Sequence, residues 1–234
     1  MSAIIRSPDS FNSNFGICVA LDETTNTILI SANAQSEYEL VRINPPLFLF
    51  FDLFLDAFTG KVYVYSLNSY NVWILTGTIE SPLGTFKSFG FQLALSGDYA
   101  IIGSANGYAF IYERSNDIWT LVKTLQPSNA GDTFGHAVAI DGTYAVIGAP
   151  GYQQTAGSVY IYNRVSAATW VLSETLSSVA GYNSQFGYSV AIHNSTIAVG
   201  APGFIPGVFG SQGIQTANST GWVYCYDFDS STQS

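Results

Sequence analysis

Phe134-Gly135-His136-Ala137-Val138-Ala139-Ile140-Asp141-Gly142-Thr143-Tyr144-Ala145-Val146-Ile147-Gly148-Ala149-Pro150-Gly151 is the stretch that decides the fold. Small residues alternate with branched apolar ones from Ala137 to Ile140, the period-two pattern of a half-buried strand. Asp141-Gly142 then reads as a tight hairpin turn, because Gly accepts positive φ at little cost. A short polar loop leads into Gly157-Ser158-Val159-Tyr160-Ile161-Tyr162, which alternates again, and Trp170-Val171-Leu172-Ser173-Glu174-Thr175-Leu176 follows. Residues 134–176 therefore read as the strands of one antiparallel sheet.

The same run of residue types occurs four times. Phe15-Gly16, Phe89-Gly90, Phe134-Gly135 and Phe186-Gly187 open the copies. Small-residue turns follow at Ser31-Ala32-Asn33, Ser104-Ala105-Asn106, Ala149-Pro150-Gly151 and Ala201-Pro202-Gly203. Third strands start at Gly60, Gly107, Gly157 and Gly221, and fourth strands carry Trp73, Trp119 and Trp170. Self-similarity at this spacing, all of it strand, predicts an all-β propeller of four four-stranded blades. One domain over residues 1–234 is expected, with blade copies at about 15–79, 89–125, 134–176 and 186–228.

Composition bounds the partners. The hydrophobic content of 47% and aromatic content of 15% are enough to build a sizeable core. Only seven Lys and Arg are present, scattered, against a net charge of −9, which argues against nucleic acid and against an anionic membrane surface. No secretory leader is recognisable in residues 1–6. Cys18 and Cys225 lie in strand patterns and read as small buried residues that become neighbours if the ring closes.

Ile5-Arg6-Ser7-Pro8 matches Ile79-Glu80-Ser81-Pro82, each ten positions before a Phe-Gly. Residues 3–6 are thus expected to be a fourth strand with no blade in front of it, while the fourth copy stops after its third strand. The pair fits closure by strand exchange, which leaves no exposed edge. Four blades could close alone or form half of an eight-bladed ring made by two chains as a homodimer. Copy 1 carries an irregular insertion at 34–59, apolar on both faces and holding Asp52 and Asp56, too short and too charged for a membrane span. It reads as an amphipathic helix, as a plug across one face or, at 41–58, as translated non-coding sequence.

These columns, Phe-Gly, Gly-Ala-Pro-Gly, Gly-x-Val-Tyr-Ile-Tyr and Trp-x-Leu-x-x-Thr-Leu, resemble the FG-GAP repeat family, the unit of the integrin α-subunit propeller. The resemblance covers nearly the whole chain outside the insertion and implies a ligand-binding role. In the integrin type the loop between strands 1 and 2 can bind calcium through a run of Asp and Asn. Here that loop is Asp22-Glu23-Thr24-Thr25-Asn26, Ser96-Gly97-Asp98, Asp141-Gly142-Thr143 or His193-Asn194-Ser195, too poor in carboxylates for the six to eight oxygens of calcium. The short-turn variant of the family is therefore expected, with no metal site and no cofactor.

No nucleophile elbow, metal-spaced His pair or phosphate-binding Gly loop ahead of a helix is present, so no catalytic residue is assigned and no enzyme is expected. His136 shares a column with Ile17, Phe91 and Tyr188, and His193 shares one with Asp22, Ser96 and Asp141, which reads both as structural. Tyr63, Phe110, Tyr160 and Tyr224 read as packing residues rather than a sugar-stacking row. Length variation falls on the loops between strands 2 and 3, which in a propeller emerge on one face. Tyr152, Gln153, Phe204, Ile205 and Phe209 are the candidate ligand-face residues, and Asn194 and Asn218 head possible glycosylation sequons. The expected function is a non-catalytic module binding a protein in an extracellular or cell-surface adhesion setting. The alternatives are a carbohydrate-binding lectin-type propeller and an inert fragment of a larger FG-GAP repeat protein.

Overall fold

The computed structural model describes residues 4–8, 14–32, 60–84, 88–104, 107–127, 133–151, 156–178, 184–203 and 221–227. Alternating apolar residues and Gly- or Asn-led turns produce four antiparallel meanders. Blade 1 is β1 (Phe15–Asp22), β2 (Thr27–Ala32), β3 (Lys61–Leu67) and β4 (Trp73–Glu80). Blade 2 is β5 (Phe89–Ser96), β6 (Tyr99–Ser104), β7 (Tyr108–Ser115) and β8 (Ile118–Leu125). Blade 3 is β9 (Ala137–Asp141), β10 (Tyr144–Ala149), β11 (Ser158–Ser166) and β12 (Thr169–Ser177). Blade 4 has three strands among the described residues, β13 (Ser189–His193), β14 (Thr196–Ala201) and β15 (Trp222–Asp227).

The first strands β1, β5, β9 and β13 lie side by side in that order, so they are the inner strands of a propeller. The register slips by one residue between the third and fourth strand of blades 1, 2 and 3, at Val64/Tyr65, Ile111/Tyr112 and Ile161/Tyr162. Such bulges increase local twist, and their repetition gives every complete blade the same coil.

The core is not inside the blades but between them. Leu29, Val62, Val64 and Ile79 of blade 1 pack on Phe89, Leu93, Ile102 and Phe110 of blade 2. Ile101, Ile111 and Leu125 of blade 2 meet Phe134, Val138, Ile140 and Ile147 of blade 3. Val146, Val159 and Ile161 of blade 3 meet Phe186, Ile197 and Val199 of blade 4. Phe89, Phe134 and Phe186 are fully buried, each contributing roughly 1.5–3 kcal/mol by the usual scale for a buried apolar side chain.

No comparable packing joins β13 to β1 among the described residues, so the four sheets form an open arc. The expected closing strand at 3–6 is corrected accordingly: residues 4–6 belong to no strand and do not complete blade 4. Instead Ile5 buries against Ile30, Ala32, Tyr63 and Phe15 of blade 1, because in an open arc that apolar face is the one within reach. Cys18 and Cys225 are free thiols, the first half-buried against Gln92 and the second exposed, in place of the two buried neighbours expected on closure.

Candidate functional site

In each meander the first and third strands begin, and the second and fourth end, on one face of the arc. The variable loops spring from that face. Tyr152, Gln153, Phe204, Ile205 and Phe209 lie outside the described residues, as do Asn218 and the insertion at 34–59. What the structure describes is the frame that roots those loops. Gly107 N donates to Phe134 O at 3.1 Å and Phe186 N to Ala156 O at 3.0 Å, so blade 2 is stitched to blade 3, and blade 3 to blade 4, through backbone at this end. Ser184 Oγ adds a bond to Ala156 O at 2.6 Å and lies 2.8 Å from Ser178 Oγ. Gly135, at φ +86°, sits where a Cβ would overlap the carbonyl of Tyr108 and the backbone of Ser104. The Gly of Phe-Gly is therefore the point at which two blades touch through bare backbone.

At the inner end of the same face, the column following Phe-Gly forms a row. His136 stands between Phe91 and Tyr188, with ring centroids at 5.1 Å and 4.7 Å. Burial pushes the His136 imidazole below its ordinary pKa, leaving it neutral at pH 7. A neutral imidazole between two aromatic rings, with Tyr188 and Ile17 exposed at either end of the column, is an apolar, hydrogen-bond-capable patch near the axis. Column comparison reads His136 as structural, without showing that it meets Phe91 and Tyr188. The constant bulk immediately after Phe-Gly was the available signal.

The opposite face carries the turns between first and second strands, and a second column organises it. Asp22 Oδ2 accepts from Gly97 N at 2.7 Å, Ser96 Oγ from Gly142 N at 3.1 Å, and Asp141 Oδ2 from Asn194 N at 2.6 Å. The last residues of β1, β5 and β9 thus clasp the turn of the next blade. Desolvation works to raise the Asp22 pKa, but bonds from Thr24, Gly97 and Thr25 outweigh it and hold the carboxyl below its usual range. Further out, Arg114 reaches back to Thr27 Oγ1 of blade 1 at 2.8 Å while gripping Asp98 through Nε and Nη2. Arg164 lies over the Tyr99 ring of blade 2 at 4.0 Å.

This arrangement holds neighbouring blades together. His136 and His193 sit at opposite ends of the inner strands, and His193 is exposed, 3.8 Å from Asp141. Among the described residues no group of three or more His, Cys, Asp or Glu side chains is placed to hold a metal ion. Nor is any helix there long and apolar enough to cross a membrane. The third-strand rings Tyr63, Phe110, Tyr160 and Tyr224 each face the Phe-Gly phenyl of their own blade, at 5.6, 5.5, 5.2 and 5.2 Å, so the column is packing within the apolar layer of each blade. Asn194 lies exposed in the β13–β14 turn.

Fold and seams together define a β-propeller whose blades are locked pairwise by a Phe-Gly contact. The FG-GAP repeat family model matches residues 119–162, from the fourth strand of blade 2 to the third strand of blade 3, so this part of the propeller carries an FG-GAP repeat. Two solved structures share the fold. The computationally designed Ika4 protein superposes with a TM-score of 0.54 at 11% identity, covering 98% of this chain and all of that one. A protein from Lactobacillus plantarum gives a TM-score of 0.50 at 13% identity, with 91% of this chain covering 55% of that one. No curated protein matches the sequence.

Proposed function

We propose that the chain is a non-catalytic interaction module that binds a protein partner through its loop face, in an extracellular or cell-surface adhesion setting. The observation that carries this reading is the division of labour between the two ends of the blades. On the turn face, charged and polar side chains are engaged in inter-blade clasps of nearly constant length. On the loop face a stitched backbone frame presents loops of unequal length around the Phe91–His136–Tyr188 row. A rigid scaffold with variable loops is the usual architecture of recognition. The accessible Asn194 sequon accords with the extracellular setting. A lectin role has less support, since the repeated aromatic column that would stack on sugars faces Phe rings in the seams.

The test is binding of the full chain to parallel arrays of extracellular-matrix proteins and of glycans. The comparison protein has residues 204–220 shortened to the length of the blade 2 loop. Protein binding that is lost in the shortened variant, with its folded spectrum intact, is the expected result. Glycan binding alone, or protein binding indifferent to the loop, would overturn the reading.

A further inference from the structure

The two ends of the arc are the two halves of one interface. On the side facing the next blade, the columns Leu29/Ile101/Val146, Val62/Ala109/Val159 and Val64/Ile111/Ile161 are buried in blades 1, 2 and 3. Their counterparts in blade 4 are Ala198, half-buried, Val223, 73% exposed, and Cys225, exposed. On the side facing the previous blade, Leu93 and Val138 are buried at 6% and 7%, while Val19 in the same column of blade 1 is 54% exposed. Leu21, beside it on β1, is equally open. Among the described residues, apolar side chains that are covered at the three seams are open at the two ends of the arc.

The N-terminal segment stands in register for what is missing. Ile79 shares a cluster with Phe89, Ile102 and Phe110 of the following blade, and Leu125 with Phe134, Ile147 and Ala149. Leu176 packs with Phe186, Val199 and Ala201. Ile5 makes the corresponding set of contacts, with Phe15, Ile30, Ala32 and Tyr63. It occupies the last apolar position of a fourth strand, docked on blade 1 without the sheet to which that strand belongs. The sheet that lacks a fourth strand among the described residues is blade 4, whose edge strand β15 is unpaired on its outer side.

We infer that two copies of this chain close one ring head to tail, β15 of each taking the N-terminal segment of the other as its fourth strand. Repeat registers set the pairing. Val62 lies opposite Ile79, Ala109 opposite Leu125, and Val159 opposite Leu176. Val223 therefore lies opposite Ile5 of the second copy. The turn clasp continues in the same way, with His193 beside the turn at Glu23 of the second copy, as Asp141 is beside Asn194. A head-to-tail contact that uses both ends of each copy closes when the pair completes the circle, and it removes both sheet edges and both apolar faces at once.

Light scattering on the full chain should give twice the 25.2 kDa chain mass, independent of modest dilution. A mass of one chain, or a series of larger assemblies, overturns the closed pair. Register is tested by Ile5→Cys with Val223→Cys in a Cys18→Ser, Cys225→Ser background. Oxidation should yield a covalent dimer on a denaturing gel without reductant. A monomer with no cross-link, or a compact monomer cross-linked within itself, overturns the proposal, the latter because the ring then closes in one chain. The unaltered protein supplies a readout free of any folding defect. Cys225 should resist maleimide at working concentration and become reactive on dilution below the dimer range, whereas reactivity that is fast at every concentration overturns the proposal.

Discussion

Gly135 and Gly142 are seven residues apart in one blade, both with positive φ, and replacing each by Ala separates backbone strain from blade contact. At Gly142, φ +57°, an added Cβ meets nothing within 4 Å. Its cost is the left-handed strain of a non-glycine residue, about 1–2 kcal/mol, less the roughly 0.4–1 kcal/mol returned by stiffening the unfolded chain. The net is about 1 kcal/mol. At Gly135, φ +86°, the same two quantities apply, but the Cβ also overlaps the carbonyl of Tyr108 and the backbone of Ser104. Neither neighbour is a flexible side-chain end, so blades 2 and 3 must separate locally, adding the roughly 1–3 kcal/mol typical of overpacking or more. Gly135→Ala should therefore lower stability by about 3 kcal/mol or more, a fall in Tm of about 6–12 °C against about 2–4 °C for Gly142→Ala. Thermal unfolding followed by tryptophan fluorescence and far-ultraviolet circular dichroism reads both. Equal shifts would refute the claim that Phe-Gly is a backbone contact between blades and leave it a turn signature only.

Asp22→Ala should cost about 1–2 kcal/mol, the usual worth of a carboxylate bonded to backbone N–H groups, measured by denaturant titration. Because the folded pKa of Asp22 is depressed, that stability is present above the ordinary carboxylate pKa and lost as pH falls through the lower folded value. Asp22→Asn should flatten this part of the pH profile. His136 acts over a different range: its folded pKa is lowered, so the unfolded state binds more protons below about pH 6.5 and stability falls with pH there. His136→Phe, flanked by Phe91 and Tyr188, should keep the fold at pH 7 and reduce that acid sensitivity, read as Tm against pH. Arg114→Lys should lower Tm by about 2–4 °C, since an ammonium cannot hold Asp98 and Thr27 together or lie flat over Trp119. An unchanged Tm would show the clasp to be dispensable.

Local, repeated signals were the legible ones. Phe-Gly, the Gly that opens each third strand and the two-residue alternation are written in contiguous residues and recur, so the blade order of the fold followed from them. Tyr63, Phe110, Tyr160 and Tyr224 could be read as packing residues for the same reason. Closure was not legible, because it depends on the twist accumulated at bulges such as Ile161/Tyr162 and on no single residue type. The match of Ile5 to Ile79 is visible in its contacts with Phe15, Ile30, Ala32 and Tyr63, but residues 4–6 form no strand. The Phe91–His136–Tyr188 row and the Asp22–Gly97 clasp escaped notice because their members belong to different blades, far apart in sequence. Comparing columns shows what substitutes for what, not what touches what. The loop residues proposed for binding depend on length differences, which mark where variation is tolerated without specifying what it recognises.

Because apolar burial occurs at the seams, a single sheet has no interior of its own, and the indivisible piece of this molecule is a junction. Each junction draws on the second, third and fourth strands of one blade and on the inner strands of the next, so residues 119–162 hold only part of the one between blades 2 and 3. Lengthening or shortening the chain without exposing a greasy flank would mean adding or removing whole blades in register, because an inner sheet contributes to the junctions on both of its sides. A cut between sheets, where the sequence repeat invites it, would sever the one thing that folds.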